Sequence, residues 1–123
     1  MLYEDLTQRI IKASFLVSNE LGIGFLESVY EKALIIALRD EGLNVLSQVS
    51  LKVSFRGEEV GHFLADIIVE DKVILELKAV KALKPEHVAQ VLNYLKATGM
   101  PIGMLINFGT PKLEYRRFNN KFT

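Results

Sequence analysis

A chain of 123 residues, half of them hydrophobic, can bury one core and leaves no room for a second catalytic domain, so residues 1–123 are read as a single domain. The lack of cysteine excludes a disulfide framework and any thiolate metal site. No apolar stretch nears the ~20 residues of a membrane span, and a soluble cytoplasmic protein is expected. Net charge is zero but segregated, since residues 1–77 hold 7 Lys/Arg against 13 Asp/Glu while residues 78–123 hold 8 against 2. Either the second part forms a basic surface for a polyanion, with Lys81, Lys84, Arg116 and Arg117 in it, or folding mixes the two signs.

In chain order, Leu2, Leu6, Ile10, Ala13, Val17 and Leu21 recur at steps of three and four, the stripe of an amphipathic helix that Gly22 ends. After the Gly22-Ile23-Gly24 loop, a second helix runs from Leu26 to a stop at Gly42. Glu27 opens it, with Tyr30, Glu31 and Leu34 on the same side. A first-turn acid placed on the helix dipole accounts for Glu27 taken alone. Val45 to Phe55 alternates, with Val49, Leu51, Val53 and Phe55 on one side, as a half-buried strand does. Arg56 to Glu59 is read as a turn, and Val60 to Val69 as the return strand. His62 on that strand is expected at an edge or in solvent.

Asp66 to Lys78 carries two apolar runs around Glu70, Asp71 and Lys72, with three charges inserted where core residues belong. Glu76 and Lys78 share a strand face roughly 6.6 Å apart, and Leu77 points the other way. A two-residue turn at Asp71-Lys72 would pair Asp66 with Leu77, on the wrong face. A three-residue loop or a bulge is therefore required to bring Asp66 opposite Glu76. Two carboxylates and an ammonium would then meet among Ile67, Val69, Val73 and Leu75. Carboxylates repel and are costly to desolvate, which makes sense of the cluster if a divalent cation lies between them. Mg2+ (or Mn2+) is the expected ion, because it takes one or two carboxylates and keeps sites for water and phosphate oxygens. Lys78 would face the attacking water and the phosphate as an electrostatic group rather than as a base. The plainer reading is a cross-strand ion pair on a solvated face, against which stand the apolar Ile68 and Ile74 on the charged parity.

Pro85 to Gly99 reads as a third helix, with Val88, Val91, Leu92 and Leu95 as its core stripe and His87, Gln90 and Tyr94 as an uncharged polar line turned toward a site. Ile102 to Phe108 is near-continuously apolar. Reached by a helical crossover, it is expected to lie parallel to its neighbour. Leu113 to Phe118 closes the sheet as an edge strand.

The order helix, meander with Asp66 and then Glu76-Leu77-Lys78, helix and strand resembles the PD-(D/E)XK nuclease superfamily. The string Gly24-Phe25-Leu26-Glu27-Ser28-Val29-Tyr30 resembles the signature of its GxxExxY protein family. The resemblance implies an α/β restriction-endonuclease-like core, a mixed central sheet made of an antiparallel three-stranded meander plus a crossover strand, flanked by helices. It implies metal binding by Glu27, Asp66, Glu76 and the Leu77 carbonyl, with Lys78 and Gln90 completing the catalytic motifs. Ala65 stands where the superfamily's name has proline, at a position that supplies no ligand. The expected activity is Mg2+-dependent hydrolysis of phosphodiester bonds in nucleic acid, DNA foremost, with a homo-oligomer or a larger complex as the expected assembly. The alternative is a non-catalytic nucleic-acid or protein interaction module on the same fold.

Overall fold

A computed structural model describes residues 3–122; the Leu2 end of the expected first stripe lies outside them. The elements follow in the order α1 (Glu4–Leu21), α2 (Glu27–Asp40), β1 (Val45–Phe55), β2 (Glu58–Val69), β3 (Val73–Lys78), α3 (Pro85–Thr98), β4 (Ile102–Asn107) and β5 (Glu114–Asn119). The five strands form one sheet in sequence order. β1, β2 and β3 are the antiparallel meander, β4 runs parallel to β3 across the α3 crossover, and β5 returns antiparallel.

α1 and α2 cover one face of the sheet and α3 the other. Ile10, Val17, Leu34 and Leu38 meet Ile67, Leu75 and Ile106, while Tyr94 and Leu95 meet Ile68 and Ile74. β4 is buried at every residue, as is β3 up to Leu77. Covering on both faces is the physical reason these strands read as unbroken apolar runs rather than alternating ones. α3 comes close over β4 because Gly103 has no side chain, and a Cβ there would stand 2.7 Å from Val91 Cγ1.

The β2–β3 loop is the three-residue kind that the Asp66 parity demands. Val69 pairs with Val73, Glu70 and Asp71 both adopt φ 54°, and the Lys72 N–H donates to the Val69 carbonyl at 3.0 Å. The β1–β2 turn is tighter than the sequence suggested. Arg56 and Gly57 alone make it, at φ 52° and 81°, the paired left-handed geometry that matches strand twist, so β2 begins at Glu58 rather than Val60. The far half of this hairpin runs beyond the core, and Val53, Phe55 and Val60 are exposed, against the expectation of one buried side through Phe55.

Midway along the hairpin the two faces exchange. Val45 packs with α1 and α2, whereas Val49 and Leu51, of the same parity, pack toward α3. Likewise Ile67 and Val69 lie toward α1 and α2, but Phe63 and Ala65 toward α3. Strict alternation would keep each set together. The exchange falls at Gln48, held at φ 50°, and at Asp66 across from it, between the pairs Ser47 with Ile67 and Val49 with Ala65. The pairing sum is the same on both sides, so no residue is inserted; both strands kink together.

Candidate functional site

Where the faces exchange, β2 leaves β3. Their ladder consists of Ile67 with Leu75, Ile68 with Ile74 and Val69 with Val73, and one further step sets Asp66 across from Glu76. There the Asp66 side chain replaces the ladder, its Oδ2 accepting the Leu77 N–H at 2.8 Å. In a strand the N–H and C=O of one residue point to the same edge. The Leu77 carbonyl thus faces the same gap, while the Lys78 carbonyl faces β4 and accepts from the Phe108 N–H at 2.8 Å.

From this gap one connected chain of polar groups extends under α3. Glu76 is 3% exposed and shares hydrogen bonds with Asp66 and with the Tyr94 hydroxyl. Gln90 Nε2 donates to that hydroxyl at 2.7 Å, and Lys78 Nζ donates to Gln90 Oε1 at 3.1 Å. Burial pushes the Glu76 carboxyl up to about 9, with the Asp66 carboxylate adding to the rise and Lys78 opposing it. Near neutral pH Glu76 is therefore held as the protonated acid, with a proton that a divalent cation would displace. Burial, with Glu76 and Asp66 adding to it, also pushes the Tyr94 hydroxyl up to about 12, which keeps it a donor toward Glu76.

Two acids approach from α2. Glu27 and Glu31 are each raised, first by desolvation and then by the Asp66 charge, with Lys78 opposing at Glu27 and Gln48 at Glu31. Glu31 Oε1 accepts from Gln48 Nε2 at 2.8 Å, so the kinked residue of β1 reaches α2 beside the carboxylates. The start of α2 is fixed by Tyr30. This ring is buried and stacked on Phe108 at 4.9 Å, its hydroxyl donates to the Gly22 carbonyl at 2.6 Å, and it accepts the Phe25 N–H at 3.3 Å. Gly24, at φ 110°, allows the loop to close on that hydroxyl. This is a physical reason for the spacing of Gly24, Glu27 and Tyr30: the tyrosine pins the loop whose last turn presents the acid.

Asp66, Glu76, Lys78 and Gln90 are brought together, Leu77 turns its carbonyl to them, and Glu27 stands within electrostatic reach. Tyr94, Glu31 and Gln48 join them. The polar line on α3 contained the signal for Tyr94, but nothing marked its partner. His87 of the same line does another job, its Nδ1 accepting the Lys84 N–H at 3.1 Å at the start of α3. His62 is exposed on the hairpin, as expected. Among the described residues no three His, Asp or Glu side chains converge as a ready cation cage. Two converging carboxylates and a carbonyl instead fit an ion that retains several waters, as Mg2+ does.

The basic residues divide. Lys81 and Lys84 are exposed on the β3–α3 link, which buried Asn107 fixes by accepting the Val80 N–H at 3.0 Å and donating to the Val80 carbonyl at 2.9 Å. Lys81 is three residues from Lys78, within about 10 Å of chain. Arg116 lies on the row Glu76, Leu105, Arg116 across the sheet, on the α3 face with Phe118 and about 10 Å from β3. Arg117, expected in the same basic surface, lies away from these residues. Alternation turns it to the opposite face, where Nη1 donates to Thr7 of α1 at 2.8 Å.

Residues 4–118 match the sequence profile of the PD-(D/E)XK nuclease superfamily. No curated protein shows a significant sequence match. Among solved structures, the crystal structure of SSO0001 superposes with a TM-score of 0.59 at 17% identity, covering 96% of this chain and 60% of that one. That of an alkaline exonuclease from Laribacter hongkongensis superposes with a TM-score of 0.56 at 15% identity, covering 92% of this chain and 70% of that one. This chain thus spans less than two thirds of the first neighbour's length, and both likenesses concern the fold. Among the described residues no helix is long and apolar enough to cross a membrane.

Proposed function

The chain belongs to the PD-(D/E)XK nuclease superfamily, and on that premise we propose that it is one nuclease domain of the GxxExxY kind, hydrolysing phosphodiester bonds of DNA with Mg2+ or Mn2+. The observation that carries the reading is the connected set Lys78, Gln90, Tyr94, Glu76 and Asp66. A buried acid is there kept protonated chiefly by its burial, hydrogen-bonded to a second carboxyl group. Structural ion pairs do not call for that expense; a site for a cation does.

Asp66, Glu76 and the Leu77 carbonyl would hold the ion, and Glu27 would reach it through water. The cation, when bound, supplies charge stabilisation at the phosphoryl oxygen and a more acidic water. Asp66 is held in place by the Leu77 N–H, so its free oxygen has one direction to offer. To hold an ion Glu76 would act as a carboxylate, its proton released to solvent, and the Tyr94 hydroxyl would orient it. Lys78, positioned by Gln90, offers a positive charge to the phosphorane as negative charge grows on it. Lys81, Lys84 and Arg116 lie where they can meet neighbouring phosphates.

The interaction-module reading is favoured by one observation, that Lys78 is engaged by Gln90 rather than turned free toward a substrate. Titration calorimetry with Mn2+ and cleavage of a plasmid and an oligonucleotide panel, wild type beside Asp66→Ala, decides between them. Micromolar to millimolar binding and cleavage, both lost in the variant, supports the nuclease. Absence of cleavage with every divalent metal leaves the module.

A further inference from the structure

Between the β1–β2 hairpin and α3 runs a groove with a cavity of about 620 Å3 that none of the catalytic motifs occupies. Lys52 stands on the hairpin wall and Lys96 on the helix wall, both exposed. Ser54 and Asn93 also line the groove, and no acidic side chain does. Its inner end is formed by Phe63 and Tyr94, stacked in parallel at 4.0 Å. Tyr94 is the residue that hydrogen-bonds Gln90 and Glu76, and Phe63 lies three residues, about 10 Å, before Asp66 on β2. The inner end of the groove is thus the ring whose hydroxyl is hydrogen-bonded to Gln90 and Glu76. Lys96 is steadied at its outer end by the Phe122 ring, 5.6 Å from the ammonium.

We propose that this groove is the track by which a single nucleic-acid strand enters the site, Lys52 and Lys96 each contacting one backbone phosphate. The partner's chemistry rests on the nuclease reading, while the choice of a single strand comes from the groove itself. Its cavity of about 620 Å3 is the size of a small-ligand cleft, which suits a few nucleotide units of one strand better than the two strands of a duplex. Two facing cations in a groove free of acids suit a polyanion threaded between them, and the aromatic pair at the inner end gives bases an apolar wall. The kink at Gln48 and Asp66 is what makes the groove, since it turns Val49, Leu51 and Phe63 toward α3.

The test is fluorescence anisotropy of a labelled oligothymidylate in Ca2+ at several salt concentrations, wild type against the double variant Lys52→Ala/Lys96→Ala. A matched duplex serves as comparison. Each single-strand phosphate contact contributes about 0.7 to the salt slope, so the variant's slope should be shallower by about 1.4, with affinity down at least about tenfold at low salt. Lys52→Arg/Lys96→Arg should retain both, and the duplex should change little. An unchanged single-strand slope, or an equal loss on the duplex, overturns the track. Both lysines are exposed, so folding should be intact, as circular dichroism would verify. Hydrolysis of bis(p-nitrophenyl) phosphate with Mn2+, which needs no track, should be equal in wild type and the double variant. If wild type hydrolyses no phosphodiester while the slope still falls, the track stands and the nuclease reading falls.

Discussion

The backbone N–H of Leu77 donates to the carboxylate of Asp66 across the point where β2 and β3 part. One side chain thus ends a ladder and begins a site, so structural and chemical roles at position 66 need to be separated by the substitution chosen. Asp66→Asn keeps an oxygen for the Leu77 N–H and removes the charge that raises Glu76, Glu31 and Glu27. In metal-free buffer its melting temperature should equal or exceed that of wild type, and the rise that Mn2+ gives wild type should vanish. A melting temperature well below wild type without metal would show that the charge itself supports the fold.

Stability without metal should depend on pH through Glu76. Its folded value, about 9, lies above the ordinary glutamate value of 4.5, so the folded state binds more protons between these limits. Its contribution is complete below about 4.5 and declines as pH rises toward 9, at most about 1.4 kcal/mol per pH unit. Urea denaturation between pH 6 and 9 should show that decline, and Glu76→Gln should flatten it. Mn2+ binding near neutrality should release about one proton per ion, read by calorimetry in buffers of different ionisation enthalpy. A pH-independent wild type would remove the description of Glu76 as a protonated acid in the folded state.

Lys78→Met retains the stem and removes the charge. If Lys78 acts on the phosphoryl group, cleavage should fall on the order of a hundredfold to a thousandfold with metal affinity retained. If it only offsets Asp66 and Glu76, the variant should melt lower and recover with Mg2+. Measuring both quantities on one preparation separates the two.

Tyr94→Phe deletes the hydroxyl between Gln90 and Glu76 and leaves the ring on Phe63. A stability loss of about 1 kcal/mol is expected, because Gln90 Nε2 and Glu76 each lose a partner. Cleavage should fall further than that loss explains, with a lower kcat at saturating metal, since the Glu76 carboxylate is no longer oriented. Unaltered kcat would confine Tyr94 to packing.

Gly109→Ala tests the frame that carries Lys81 and Lys84. A Cβ there would lie 2.3 Å from both the N and the O of Val80, backbone atoms that Asn107 holds by hydrogen bonds. Overpacking against backbone should cost about 3 kcal/mol, or a fall of roughly 10 °C in Tm.

Much of this was legible because it is local. The meander, the parallel fourth strand and the three helices follow from periodicity and from glycine and proline positions. The three-residue loop at Glu70, Asp71 and Lys72 follows from parity alone, since Asp66 and Glu76 can share a face in no simpler way. The line Gln90 and Tyr94 follows from helical spacing.

What tertiary structure decided is everything that depends on which layer covers which face. Alternation along β5 puts Arg116 and Arg117 on opposite faces, but only the packing of α1 reveals that Arg117 is the one spent on Thr7. Alternation along β1 and β2 predicts unbroken faces, and the left-handed turn of Gln48 cancels it, because a residue held at φ 50° reverses the side-chain phase without altering the pairing. No propensity marks a glutamine for that conformation. It is imposed by two helical layers that need apolar residues on opposite sides of one hairpin, and the place where that need is met is the place where Asp66 turns toward Glu76.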